Sequence, residues 1–300
     1  MWINSHLKYF DYGLGFNIFV LISHEVSTTN NELGICRICG FKGKLSEEHV
    51  PPKSAFNNQS FYYGACNILC DESIDIYMEG GMEGLYKKRI AKKYQGGIRF
   101  RTLCRSCNSN TGTWYAKDFA DWTYQAMGIL LSTKGHPTLY YPTWFYPLRV
   151  IKQIITMFFS VFTPGHEGYY PDLVKFILNP NFTGLDKKYR IYCYYNLKGG
   201  NRYIGDNFVK EPSLDGVIHV SEITFPPFGF VFTINSPKPD HRLTEITHFV
   251  KFGYNELAEH YQRFSTLPTH LPVPLDYRTK DEIAKDIIKG KLISMKNKII

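Results

Sequence analysis

Two Cys-x-x-Cys pairs constrain the fold of this chain more than any other feature. Cys36 and Cys39 form the first pair, and Cys104 and Cys107 form the second. A turn of this type directs two sulfur atoms to one point, and two such turns complete the tetrahedral thiolate set that zinc prefers. Because the set leaves no open coordination position, the pairs predict a structural zinc ion. The long stretch between them predicts an insertion. A redox pair, disulfides or free thiols are the alternatives.

A carboxylate, an imidazole and an amide accompany the cysteine pairs. Glu48 and His49 lie between the pairs, and Asn108 directly follows the second. An imidazole titrates near neutral pH and can take a proton from water. Oxygen atoms such as those of Glu48 and Asn108 suit Mg²⁺ or Mn²⁺, and the bound ion could coordinate a phosphate. Asn110 is an alternative ligand. The competing interpretation is that Glu48 and His49 are surface residues and that Asn108 caps a helix.

This arrangement resembles the HNH endonuclease superfamily, whose catalytic core is a ββα-metal, treble-clef finger. The similarity is greatest to the four-cysteine branch, in which a cysteine pair, an acidic residue with a histidine, and a second pair with an asparagine follow one another. The matching positions are Cys36, Cys39, Glu48, His49, Cys104, Cys107 and Asn108. The resemblance covers about residues 34–120. It implies a general base at His49, a catalytic divalent ion held by Glu48 and Asn108, and zinc on the four cysteines.

Three positions depart from the family pattern. Glu48 stands where the family often has Asp, and Asn108 stands where a histidine is common. Arg99 replaces an asparagine that often precedes the second cysteine pair by five residues. The residue that orients His49 is therefore not identified by the resemblance.

The expected fold class is α+β, with three segments. Residues 1–33 form an N-terminal extension, residues 34–130 form the HNH domain with an insertion at 54–97, and residues 131–300 form an α+β domain with an antiparallel sheet. Cys66 and Cys70 in the insertion are either a second metal half-site or core thiols. Segments rich in β-branched and aromatic residues predict an antiparallel meander. Its strands are expected at 189–195, 203–204, 217–223, 229–234 and 246–252.

Helices and connections complete this picture. The second cysteine pair is expected to open a helix that runs to about residue 127, and a strand is expected at 99–103. Further helices are expected at 148–162, 254–263 and 280–289, and a linker at 132–147. The apolar run at 148–162 is shorter than the ~20 residues of a membrane span, so no membrane segment is expected.

A basic stretch precedes and enters the second cysteine pair. The formal net charge of +8 favours polyanionic partners. Residues 84–94 could form a short helix with one cationic face, and period-two spacing places Arg99 and Arg101 on one face of a strand. Lysine and arginine at these places would neutralise phosphates, although a solvated face is the alternative. The expected nucleic-acid-binding residues are Lys87, Lys88, Arg89, Lys92, Lys93, Arg99, Arg101 and Arg105.

Together these features favour a metal-dependent endonuclease that acts on DNA, with double-stranded DNA as the expected substrate. A non-catalytic zinc-finger module that binds nucleic acid would keep the cysteines but need neither Glu48 nor His49. A redox protein would leave those two residues without a role. Seven cysteines, an odd number, fit a reducing compartment, and we expect a cytoplasmic protein. The C-terminal region carries no active-site motif and is a candidate for binding a regulatory partner or ligand.

Overall fold

The computed structural model describes most of the chain from residue 33 onwards. The described residues are 33–64, 76, 79–80, 84, 87–88, 91–133, 136, 138–162, 170–210, 217–271 and 273–297. The predicted N-terminal extension therefore lies outside the described residues except for residue 33. Cys66, Cys70 and Arg89 also lie outside them.

The cysteine pairs lie at the ends of a small antiparallel sheet. Its strands are β1 (Leu33–Ile35), β2 (Lys42–His49) and β5 (Arg99–Cys104), in the order β1-β2-β5. The insertion between β2 and β5 contains a two-stranded ribbon of β3 (Phe61–Gly64) and β4 (Ala91–Tyr94). The predicted strand at 99–103 is confirmed. The predicted helix at 84–94 is wrong at its end, because β4 occupies that part.

A helical stretch begins directly after strand β5. It consists of α1 (Arg105–Thr111), a π-helical turn (Gly112–Ala116) and α2 (Lys117–Ser132). The buried residues of α2 recur at helical spacing, as expected for a helix with one apolar face. The predicted helix from the second cysteine pair is confirmed and extends a few residues further than expected.

The core of the molecule surrounds α3 (Pro147–Val161). All residues of α3 except Arg149 are buried, so the helix is enclosed on every side, as its apolar sequence predicts. It confirms the helix expected at 148–162. A short helix, α4 (Pro171–Leu178), packs beside it.

An antiparallel sheet covers the far side of α3. Its strands are β7 (Tyr189–Tyr195), β8 (Arg202–Lys210), β9 (Val217–Phe225), β10 (Phe228–Ile234) and β11 (Thr244–Glu245). Their order in the sheet is β11-β7-β10-β9-β8, so β8, β9 and β10 form a meander and β7 lies beside β10. One face contributes Ile191, Cys193 and Phe230 to the cluster around α3. The other face is covered by the segment that includes Leu267 and Tyr277.

Three predicted elements differ from the structure. The expected linker at 132–147 contains strand β6 (Thr138–Phe145), and the expected helix at 254–263 is largely strand β12 (Ala258–Ser265), which pairs with β6. The expected strand at 246–252 is a 3₁₀-helix (Thr247–Lys251). Short segments such as 246–252 and 254–263 do not distinguish strand from helix by periodicity alone, and the glycine and proline residues of 132–147 favour a connection. The predicted helix at 280–289 is confirmed by α5 (Lys280–Asn297).

Mixed helices and antiparallel sheets confirm the expected α+β class. A single hydrophobic cluster runs from Cys36 in the first cysteine pair, through α3, to Phe264 in β12. Residues on both sides of the predicted boundary at 130 therefore share one core, while the division into two domains stays a prediction. Among the described residues, no helix combines the length and apolar character that crossing a bilayer requires.

Candidate metal centre and nucleic-acid interface

The four cysteines of the two pairs meet at one point. The sulfur atoms of Cys36, Cys39, Cys104 and Cys107 all lie within 4.8 Å of one another. Three of the four residues are buried, and Cys39 is exposed. Since no other described group of three or more Cys, His, Asp or Glu residues converges in this way, this cluster is the candidate metal centre.

The spacing of the sulfur atoms fits a tetrahedral zinc ion. Zinc–sulfur bonds of about 2.3 Å with tetrahedral angles place neighbouring sulfur atoms about 3.8 Å apart. The Cys39 and Cys104 sulfur atoms are 3.7 Å apart, far longer than the ~2.0 Å of a disulfide bond. All four cysteines are free thiols. The cluster can therefore hold a zinc ion, and its geometry is not that of two disulfides.

The thiols of the cluster compete with one another for protons. A hydrogen bond from Cys107 lowers the pKa of the Cys36 thiol to about 4. The hydrogen bond to Cys36 and burial raise the pKa of Cys107 well above its usual value. The Cys36 thiolate is thus stabilised, while ionisation of Cys107 becomes less favourable. A divalent ion removes this opposition, because coordinated thiols are deprotonated.

Backbone hydrogen bonds form the first turn. The amide of Gly40 donates to the carbonyl of Cys36 at 2.8 Å, and the amide of Cys36 donates to the carbonyl of Phe41 at 2.8 Å. Gly40 has a φ of 71°, in the left-handed region that favours glycine. The second pair is placed by β5 and α1, because Cys104 ends the strand and is the N-cap of the helix.

The first cysteine pair is also tied to the core helix. The guanidinium of Arg37, between Cys36 and Cys39, donates to the carbonyls of Ser160 and Phe162 at 2.9 and 2.6 Å. These carbonyls lie at the C-terminal end of α3, where four carbonyls lack helical partners. The guanidinium donates hydrogen bonds to these carbonyls, and its positive charge interacts favourably with the negative end of the helix dipole. The metal centre is thus continuous with the core rather than an appended finger.

Glu48 points towards this core. Its side chain is buried and accepts a hydrogen bond from the hydroxyl of Ser160, which in turn accepts one from Thr102 at 2.9 Å. Burial outweighs these hydrogen bonds and raises the pKa of Glu48 to about 8. At neutral pH the carboxyl group is therefore largely protonated. In this arrangement it is a core residue that joins β2 to α3.

His49 lies on the opposite side of the same strand. It is half-buried, and its Nε2 lies 3.1 Å from the carbonyl of Gly96 at the end of the insertion. Donation from Nε2 to this carbonyl leaves Nδ1 as the basic nitrogen. Burial, together with Arg99 and Lys53, lowers the pKa of His49. The structure thus supplies the orienting partner that the sequence did not identify.

Asn108 joins the helix to the strand. Its Nδ2 donates to the hydroxyl of Ser46 at 3.0 Å and to the carbonyl of Glu47 at 2.9 Å. The amide nitrogen thus holds α1 against β2, and no described residue donates to the amide oxygen. Glu48 and Asn108 are held by different partners, and no hydrogen bond joins them. Asn110, the alternative ligand, is exposed.

The predicted basic residues that the structure describes are distributed over β4, β5, the start of α1 and the remainder of the insertion. Arg99 and Arg101 lie on β5 and both bind Glu47. Arg105 is exposed at the start of α1. Lys92 and Lys93 belong to β4, and Lys87 and Lys88 are exposed within the insertion. The arginine pair is therefore the part of the basic stretch that the structure brings to the face of His49.

Sequence reasoning missed Asn57 as well as the roles of Ser160 and Glu47. Asn57 is buried, and its amide donates to the carbonyls of Pro51 and Ile98 at 2.7 and 2.9 Å and accepts from the amide of Ile98 at 2.7 Å. It ties the chain after His49 to the chain before Arg99. No motif marks Asn57 or Ser160, whereas the alternation along β2 could have placed Glu47 on the face of His49.

The chain matches no protein-family model, no curated protein and no solved structure in the three comparisons that were made. The assignment of function therefore depends on the site alone.

Proposed function

We propose that the chain is a metal-dependent endonuclease of the HNH type that hydrolyses phosphodiester bonds of DNA, with a treble-clef finger as its catalytic core. The observation that carries this proposal is the convergence of the four cysteines. A zinc ion bound there would hold the turn before the strand of His49 against the start of the helix of Asn108, so that a base and an amide oxygen would stand on one rigid frame. Arg99 and Arg101 add cationic groups on the strand opposite His49.

His49 is the proposed general base. Its Nδ1 takes a proton from a water molecule that attacks the phosphorus atom, while the carbonyl of Gly96 fixes the ring. The bond between phosphorus and the 3′-oxygen breaks, and the departing 3′-oxygen takes a proton from solvent. Asn108 and Glu48 are the proposed ligands of a catalytic Mg²⁺ or Mn²⁺ ion, which would supply charge stabilisation at the phosphate. Glu48 would have to leave its hydrogen bond with Ser160 to serve as a ligand.

Plasmid cleavage tests this function. Purified protein with its zinc is incubated with supercoiled plasmid in Mg²⁺ or Mn²⁺, beside His49→Ala and the matched control His241→Ala. His241 is strongly exposed and pairs with Asp240, outside the site. We expect His49→Ala to lower the cleavage rate about 100-fold or more, since general bases contribute 10²–10⁴-fold, and His241→Ala to leave it unchanged. Equal cleavage by His49→Ala would exclude His49 as the base.

A zinc-finger module without catalysis is the second candidate, and the position of Glu48 favours it. A buried carboxyl group bonded to Ser160 contributes to the core and offers nothing to an ion in this arrangement. This candidate predicts that the wild type binds plasmid but never cuts it, and that His49→Ala binds equally well.

A further inference from the structure

The outer face of the β2–β5 hairpin carries four charged or titratable side chains. Glu47 and His49 are two positions apart on β2 and share this face, whereas Glu48 between them points to the core. Arg99 lies directly opposite His49 in the register of the two strands, and Arg101 is two positions further along β5. Glu47, rather than Glu48, is therefore the carboxylate that accompanies His49 on the accessible side.

Each oxygen of the Glu47 carboxylate is bound by a different arginine. Nη1 of Arg99 donates to Oε2 at 2.7 Å, and Nη2 of Arg101 donates to Oε1 at 2.9 Å. The side chains of Glu47, Arg99 and Arg101 remain 41%, 42% and 25% exposed. Exposed ion pairs of this kind contribute little to stability, so the carboxylate can be exchanged for another anion at low cost.

Two guanidinium groups that bind one anion have the chemistry of a phosphate-binding site. Arginine binds carboxylate and phosphate through the same planar donors, and a phosphodiester offers two non-bridging oxygens in place of the two carboxylate oxygens. Lys53, which also acts on His49, adds a further positive charge nearby. The site thus has the charge and donor geometry for a phosphate, and Glu47 occupies it.

We propose that Glu47 is the internal occupant of a phosphate site formed by Arg99 and Arg101, and that a phosphodiester of bound DNA takes its place. This inference rests on the proposed function for the identity of the ligand. DNA competes successfully because its other phosphates make further contacts and release counterions. The exchange places a phosphate opposite His49 and frees the Glu47 carboxylate on the same face.

Binding measurements without catalysis test the exchange. Fluorescence anisotropy is recorded with a labelled 30-base-pair DNA duplex and zinc-loaded protein, with no added divalent ion. The variants are Glu47→Gln, Arg99→Gln, Arg101→Gln, and the two doubles that combine Glu47→Gln with one arginine substitution. Asp121→Asn is the matched control, because Asp121 forms an exposed ion pair with Lys117 on α2 and its substitution changes the net charge equally.

We expect Glu47→Gln to bind the duplex about threefold to tenfold more tightly than wild type, since two exposed ion pairs no longer compete. Asp121→Asn should bind as wild type does. Each arginine substitution should weaken binding and should remove most of the gain in the double variant. A Glu47→Gln affinity equal to or weaker than that of Asp121→Asn would overturn the proposal, as would failure of all variants to bind.

The two proposals fail separately. Tighter binding by Glu47→Gln without plasmid cleavage by the wild type would keep the phosphate site and exclude the nuclease. Cleavage that depends on His49, with no change of affinity in Glu47→Gln, would keep the nuclease and exclude the exchange.

Discussion

Two regions of the molecule tie distant parts of the chain together, and they do so with different chemistry. At one end, four thiols converge on one point and bring the turn between β1 and β2 to the junction of β5 and α1. At the other, Arg202 and Glu222 form a fully buried ion pair on the outer face of the large sheet. Arg202 also donates to the carbonyls of Leu271 and Asp276, and Glu222 accepts from the amide of Leu275. That ion pair fastens the C-terminal segment to the sheet.

The difference lies in what each region can lose. A tetrahedral thiolate site is complete only with all four ligands, and its metal supplies folding free energy directly. In a buried ion pair the cost of desolvating the two charges offsets much of their attraction, so an apolar pair of similar volume can replace it. We therefore expect the first region to be intolerant of any ligand change and the second to be intolerant only of unpaired charge.

Loss of one zinc ligand should have the largest effect. Cys107→Ser removes a buried thiolate, and zinc binding is worth about 10–16 kcal/mol in isolated zinc fingers. Since a whole domain is stable by only about 5–15 kcal/mol, we expect the variant to lose zinc and to fail to fold at this end. Elemental analysis of zinc per chain and thermal denaturation by circular dichroism measure both effects.

Cys193→Ala is the matched control for Cys107→Ser. Cys193 is a buried free thiol in β7 and does not belong to the four-cysteine cluster. Its loss should cost only about 1 kcal/mol, the typical cost of a point substitution. Zinc content should stay at the wild-type value. Wild-type stability in Cys107→Ser, or loss of zinc in Cys193→Ala, would contradict a structural zinc site on the four cysteines.

Removal of one partner of the buried ion pair should have the next largest effect. Arg202→Met leaves the Glu222 carboxylate buried without its cation, a change that costs about 3–5 kcal/mol. Tyr194, which donates to Glu222 at 2.6 Å, cannot neutralise the charge. Urea denaturation measures the loss.

Two controls sharpen this prediction. Arg202→Met combined with Glu222→Leu should recover much of the stability, because no buried charge is left unpaired. Arg190→Met breaks an ion pair with Glu245 that is nearly half exposed on both sides, and it should cost less than about 1 kcal/mol. If the double variant is as unstable as the single one, specific hydrogen bonds rather than unpaired charge hold this region.

The same contrast explains what the sequence could reveal. Metal coordination requires particular residues at short spacing, so the four-cysteine site and the strand and helix beside it could be predicted. The ion pair of Arg202 and Glu222 has no such signature, because many arginine–glutamate combinations occur and the pairing depends on the register of β8 with β9. The site itself shows the same limit. Ser160 donates a hydrogen bond to Glu48 although the two residues are 112 positions apart in the sequence, so no local pattern predicts the contact.

Glu47 and Glu48 illustrate this limit most directly. The resemblance selected Glu48 because it precedes His49, and alternation along a strand sends neighbours to opposite faces. Which face becomes the core depends on α3, which is far away in sequence. The family pattern could thus locate the acidic pair, whereas the fold decides which member faces solvent.

A smaller effect is expected in acid, where protonation of His270 should lower the stability of the C-terminal region. Burial, with Lys280 and Arg202 nearby, lowers the pKa of His270 to about 4, below the ~6.5 of an unfolded histidine. The unfolded chain therefore binds a proton before the folded protein does. The stability associated with the neutral ring is complete above pH 6.5 and is lost as the pH falls towards 4. Between pH 7.5 and 5 this linkage should cost about 2 kcal/mol.

His270→Gln tests this linkage, because glutamine does not titrate. Between pH 7.5 and 5 the urea midpoint of the wild type should shift downwards relative to the midpoint of the variant. Protonation of the thiolates with release of zinc destabilises both proteins in acid, and the raised pKa of Glu48 has the opposite effect on both, so these contributions cancel in the difference. An equal shift in both would exclude His270 as a source of acid sensitivity. A smaller fall in His270→Gln would show that the C-terminal region, next to Arg202, carries an acid sensitivity of its own.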